Sequence, residues 1–124
     1  MNNQESGKLA EEAAVNFLKE KGYKILSRNF KTKLGEVDVV ARDRDTYCFI
    51  EVKSRNSDRF GLPQEAVSVL KQRQISKAAL GYLKKNRLLN EKARFDVVSI
   101  MYQNSSPVID LIKNAFELDE RFTY

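Results

Sequence analysis

The chain has 124 residues, of which 42% are hydrophobic and 31% charged, the composition of an ordinary folded domain that can build a core without disulfides or a structural metal. With 22 basic and 17 acidic residues it carries a net charge of +5, which suits a polyanionic partner such as nucleic acid. The single Cys48 excludes an internal disulfide and a multi-cysteine zinc site, and the absence of histidine excludes Ser–His, Cys–His and histidine general-base chemistry, so any catalysis must run on carboxylates, lysines, tyrosines or a metal bound mainly through oxygen.

The opening segment, MNNQESGKLAEEAA, lacks the basic-then-apolar pattern of a signal peptide, and no stretch approaches membrane-spanning length, so the expectation is a cytoplasmic protein without a membrane partner. Residues 5 to 21 predict an amphipathic helix with Leu9, Ala10, Ala13, Ala14, Phe17 and Leu18 on one side and Gly22 as its stop. YKILSRNFKTK, residues 23 to 33, reads as a strand with a basic end running into Gly35. Two strands rich in β-branched and aromatic residues follow, EVDVVA and TYCFIEVK, joined at RDRD. The loop SRNSDRFGLP, ending at Pro63, leads into a long helical pattern over roughly 64 to 86. RFDVVSIMY (94 to 102) and PVIDLI (107 to 112), separated by the turn QNSS, predict the last two strands. With no repeat or linker in view, residues 1–124 read as a single domain of order α-β-β-β-α-β-β, an α/β class with a mixed central sheet flanked by helices.

The EVDVVA and TYCFIEVK strands raise a problem of charge. Alternation puts Glu36, Asp38 and Val40 on one face of the first, and Tyr47, Phe49, Glu51 and Lys53 on one face of the second. A turn centred between Arg44 and Asp45 pairs position i with 89 − i, setting Asp38 opposite Glu51 and Glu36 opposite Lys53. Opposed carboxylates with Cβ atoms about 5 Å apart repel, and one of them resists ionisation. A divalent cation such as Mg²⁺ relieves the conflict, and Lys53 beside it can hold a water or offset charge on a phosphate. The competing reading is a set of cross-strand ion pairs on a solvated face.

GEVDVV followed, thirteen positions from Asp38, by Glu51 in FIEVK resembles the PD-(D/E)xK signature of restriction-endonuclease-like nucleases. Taken together, GEVDVVA, FIEVKSR, FGLPQEAV, RFDVV and NAF resemble, over nearly the whole chain, the YraN-like family of uncharacterised proteins, related to Holliday-junction resolvases. The resemblance implies a restriction-endonuclease-like three-layer fold, Asp38 and Glu51 as ligands of Mg²⁺ or Mn²⁺, and Lys53 as the catalytic lysine. Val37 stands where the signature has proline. Resolvase-like relatives also bring a first-helix glutamate to the metal. Glu11 lies at the edge of the apolar stripe and Glu12 on its far side, and the family pattern likewise points to Glu11; both being solvated helix charges is the alternative.

On the second helix, Val67, Leu70, Gln74, Ile75, Ala78 and Tyr82 define one side with Lys71 in its middle, where a lysine must meet an anion or snorkel to water. Arg73, Lys77 and Lys84 form a basic strip, and Ser54, Arg55 and Arg59 bring phosphate-binding groups to the loop after Lys53; solvated surface explains the same residues. Asp96 is expected to pair with Arg94 or another nearby donor as a structural element. The leading reading is a Mg²⁺- or Mn²⁺-dependent endonuclease acting on DNA, branched DNA included, with Glu36 as a further ligand or support. Its rivals are a non-catalytic nucleic-acid-binding module and a protein-interaction domain on the same fold. Resolvase-like proteins act as dimers, but nothing in the sequence marks a two-fold interface, so homodimer and monomer both stand open.

Overall fold

The computed structural model describes residues 3–55, 67–103 and 106–117. A first helix, α1 (Asn3–Glu20), is followed by β1 (Lys24–Thr32), β2 (Gly35–Asp43), β3 (Thr46–Arg55), α2 (Val69–Lys85), β4 (Lys92–Gln103) and β5 (Ser106–Phe116). This is the element order that the hydrophobic patterning predicts. Gly22, at φ +94°, allows the reversal from α1 into β1, a conformation that costs a side-chain-bearing residue more than it costs glycine.

The five strands form one sheet in chain order, β1-β2-β3-β4-β5. All neighbours are antiparallel except β3 and β4, which run parallel and are connected through α2. Because side chains alternate across the sheet, each face acquires its own core. On one face Ala10, Ala14, Val15 and Leu18 of α1 pack on Val39, Ala41, Cys48, Ile50, Val98 and Ile100. On the other, Ile75, Ala78, Ala79 and Leu83 of α2 pack on Val40, Phe49, Phe95 and Val97. Tyr82 bridges the second layer, its ring edge-on to Phe30 at 5.2 Å and to Phe49 at 5.8 Å. The result is the expected three-layer arrangement, with helices on both faces of a mixed sheet.

The start of α2 differs from expectation. Ser68 is its N-cap, in extended conformation, with its Oγ accepting from the Lys71 N–H at 3.1 Å. Val67 is buried ahead of the cap, so it contributes nothing to the helical phase, and an apolar stripe drawn through it is skewed. Leu70, expected on the buried side, is 65% exposed. Pro63 and Arg59, and the centre of the QNSS turn at positions 104 and 105, lie outside the described residues.

Candidate active site

The β2–β3 hairpin carries the site, and its register follows the expected rule. Asp43↔Thr46, Arg42↔Tyr47, Ala41↔Cys48, Val40↔Phe49 and Val39↔Ile50 are partners, closed by a two-residue turn with Arg44 at φ +58°. The paired register ends at Val39↔Ile50. One step further, the Asp38 carboxylate takes the place of a backbone acceptor: the Val52 N–H donates to Asp38 Oδ2 at 2.8 Å. That charge-assisted bond fixes the carboxylate against the end of β3.

Strict alternation along β2 breaks at Asp38. Val37 joins the core beneath α2, whereas Val39, two positions on, joins the core beneath α1. The break lies opposite an irregularity in the neighbouring strand. Arg28↔Val39 and Phe30↔Val37 bracket Asn29, whose φ of +54° is a left-handed conformation that asparagine tolerates better than most residues. A local irregularity of this kind re-aims side chains, as a β-bulge does. The β2–β3 register does not extend to Glu36, so its expected pairing with Lys53 is not made. It partners Lys31 in β1, with the charged groups 4.0 Å apart.

Glu51 is the anomaly of the molecule. Its side chain is only 3% exposed, and its Oε1 is buried with no hydrogen-bond partner. Burial pushes its carboxyl up to about 8; hydrogen bonding to Asp38 and repulsion from it push the same way, while Lys71 and Lys53 oppose the shift. Lys71 Nζ lies 3.8 Å from Glu51 Oε2, and the Lys71 side chain is 28% exposed. Of the two fates open to a lysine in an apolar stripe, this one meets an anion. Lys53 is half-buried beside the pair.

Glu11 approaches from α1. Its side chain is 15% exposed, accepts from Asn29 Nδ2 at 2.8 Å and is 3.4 Å from Arg28 Nε. Glu12, by contrast, is exposed and pairs with Arg28 at 3.0 Å. Glu11 and Asp38 line one cavity of about 680 Å³ together with Arg28, Asn29, Val52 and Ser54. Among the described residues, no group of three or more His, Cys, Asp or Glu side chains is close enough together to hold a metal ion. The donor chemistry of Asp38 and Glu51 fits a hard divalent cation, and the buried, unpartnered oxygen of Glu51 is an acceptor such an ion would satisfy.

The remaining expected phosphate-binding residues divide. Ser54 is exposed on the shared cavity, whereas Arg55, Arg73 and Lys77 are half-buried and Lys84 exposed. Sequence reasoning overlooked Arg28 and Asn29, which hold Glu11. The signal available was an asparagine inside a strand pattern, a residue that often marks left-handed backbone. Asp96 behaves as expected. It is fully buried, receives both a fork from Arg94 Nε (3.0 and 3.1 Å) and the Asn114 N–H (2.9 Å), and belongs with Tyr23 and Asp43 to a network away from the carboxylate pair.

Fold and site thus define an α/β domain in which a buried glutamate, flanked by lysines, faces a half-buried aspartate where the β2–β3 ladder opens. Residues 10–100 match the model of "Uncharacterised protein family UPF0102". The chain belongs to that family, the YraN-like family. A UPF0102 protein of Syntrophus aciditrophicus is 51% identical over 116 residues, covering 94% of this chain and 91% of its own. One of Geobacter metallireducens is 52% identical over 118 residues, covering 95% and 97%. Among solved structures, "Crystal structure of SSO0001" aligns with 94% of this chain at 21% identity and a TM-score of 0.46, and the chain spans only 54% of that protein's length. No helix among the described residues is long and apolar enough to cross a membrane.

Proposed function

We propose that this chain is a divalent-metal-dependent endonuclease that hydrolyses DNA phosphodiester bonds, branched or otherwise structured DNA included. The observation that carries the reading is Glu51, a carboxyl buried against Asp38 with one oxygen unsatisfied, an arrangement that costs stability and gains nothing for the fold alone. Asp38 and Glu51 would hold Mg²⁺ or Mn²⁺, with Glu11 contributing through water across the shared cavity. The ion would supply Lewis acidity and a more acidic water, the means by which a chain without histidine can attack a phosphodiester. Lys53 would orient the attacking water and offset charge on the scissile phosphate, and Lys71 would keep Glu51 charged when the site is loaded. Glu36, turned toward Lys31, keeps only a supporting role at the rim.

One observation favours a second reading. The Lys71 ammonium already balances Glu51 from 3.8 Å, where a metal would otherwise do so. A nucleic-acid-binding module that never cuts is compatible with that pair.

The test is cleavage of an end-labelled panel of duplex, single strand, flap and four-way junction in Mg²⁺, Mn²⁺ or EDTA, with wild type and Asp38→Ala side by side. Metal-dependent cutting that disappears in the variant is the expected result, and the preferred member of the panel names the substrate. Binding without cutting in any metal, unchanged by the substitution, would replace the nuclease with the recognition module.

A further inference from the structure

A second cavity, of about 340 Å³, lies between the β1–β2 turn and the beginning of α2. Its charged lining is Lys31, Lys33 and Lys71 against the one carboxylate of Glu36. Lys31 is 71% exposed and only 4.0 Å from Glu36 at its nearest, so most of its charge faces solvent. Lys71 sits in the first turn of α2, where no acidic residue occurs. A cation there adds to the positive end of the helix dipole instead of offsetting it.

The turn is held rigidly in place. Thr32 Oγ1 accepts from the Leu34 and Gly35 N–H groups at 3.1 and 3.2 Å and donates to the Gly35 carbonyl at 3.2 Å. Gly35 lies so close to α2 that a Cβ on it would fall 2.1 Å from the Gln74 carbonyl oxygen. The lysines of the turn are thereby presented at a fixed distance from α2 and from Lys71. Lys71 belongs to both places: it lines this cavity and reaches Glu51 at 3.8 Å.

We infer that this lysine-lined cleft seats a backbone phosphate of the nucleic-acid substrate, adjoining the phosphate held at Asp38 and Glu51; the assignment rests on the nucleic-acid reading above. Lys31 and Lys33 grip the strand from the turn, and Lys71 links the seated phosphate to the carboxylate pair. Ammonium groups recognise phosphate without reading base sequence, so the cleft fixes the register of the strand and leaves choice of sequence elsewhere.

The experiment is fluorescence anisotropy of the full chain with a labelled DNA duplex in EDTA, which separates binding from cutting. Lys31→Ala/Lys33→Ala is compared with Lys92→Ala/Lys113→Ala, which removes the same charge from exposed lysines near the opposite end of β2, where they pair with Asp45 and Asp43. The expected result is a Kd raised about 10-fold or more for the first variant, with a salt slope shallower by about 0.9 for each phosphate no longer neutralised, and little change for the control. Equal effects in both variants, or none in either while wild type binds, would overturn the cleft and leave the nuclease reading standing. A wild type that binds no duplex, single strand or junction would remove both.

Discussion

Two carboxylates, one buried at Asp96 and one half-buried at Asp38, show how this chain separates structure from function at the level of single residues. Asp96 and Asp38 each accept a backbone N–H, from Asn114 and Val52 respectively. Asp96 also has the Arg94 guanidinium, so its charge is compensated. Replacing it with alanine leaves Arg94 with Asp43 and the Tyr23 hydroxyl and orphans the Asn114 amide, and should cost about 3 kcal/mol in urea denaturation. Glu51, beside Asp38, predicts the reverse. With its carboxyl pushed up to about 8, the folded chain keeps a proton that the unfolded chain releases near pH 4.5. In metal-free buffer stability should therefore fall as pH rises between those values and level off above about 8. Urea titrations across that range should show this slope in wild type and not in Glu51→Gln, which at pH 8 should be the more stable by about 1 kcal/mol or more. A substitution that strengthens the fold while abolishing cutting is the mark of a residue retained for chemistry.

At the level of elements, what was legible in the sequence was whatever depends on local pattern. The hairpin register could be read because RDRD permits a two-residue turn, which fixes every pair from Asp43↔Thr46 to Val39↔Ile50. The break at Asp38 could not, because it falls opposite the left-handed Asn29 of a different strand, and long-range pairing is absent from a local pattern. The meeting of Lys71 with Glu51 was one of two outcomes open in the sequence, since an apolar stripe gives the side of a helix but not what faces it. Leu70 went astray because Val67 precedes the helix cap and carries no helical phase. Gly35 gave no sign of its importance either. Its closeness to Gln74 means that Gly35→Ala must push the turn away from α2, which should cost about 1–3 kcal/mol and weaken DNA binding further than the reduced stability explains. Thermal melts and anisotropy on that one variant check both effects.

For the whole molecule, a continuous sheet from β1 to β5 ties both helices to one framework. The expected consequence is a single cooperative transition, with backbone circular dichroism and tyrosine fluorescence changing together on denaturation. Mg²⁺ or Mn²⁺ should raise the melting temperature, because binding to the folded state alone adds about 2.7 kcal/mol when the ion is at 100 times its Kd. Asp38→Ala should abolish that increment. An unaltered melting temperature at millimolar metal would remove the metal from the proposal independently of any cleavage assay. In the proposed nuclease the excess of positive charge would make the encounter with DNA salt-sensitive, and the lysines and carboxylates at the opening of the sheet would set its direction.

The ladder between β2 and β3 stops where Asp38 takes the amide of Val52. An N–H held by a carboxylate has a magnetic resonance sensitive to whatever else that carboxylate binds. The Val52 peak in a nitrogen-15 spectrum is thus a natural reporter placed by the fold itself. It should move when a cation arrives at Asp38, and it will do so in a sample containing no nucleic acid.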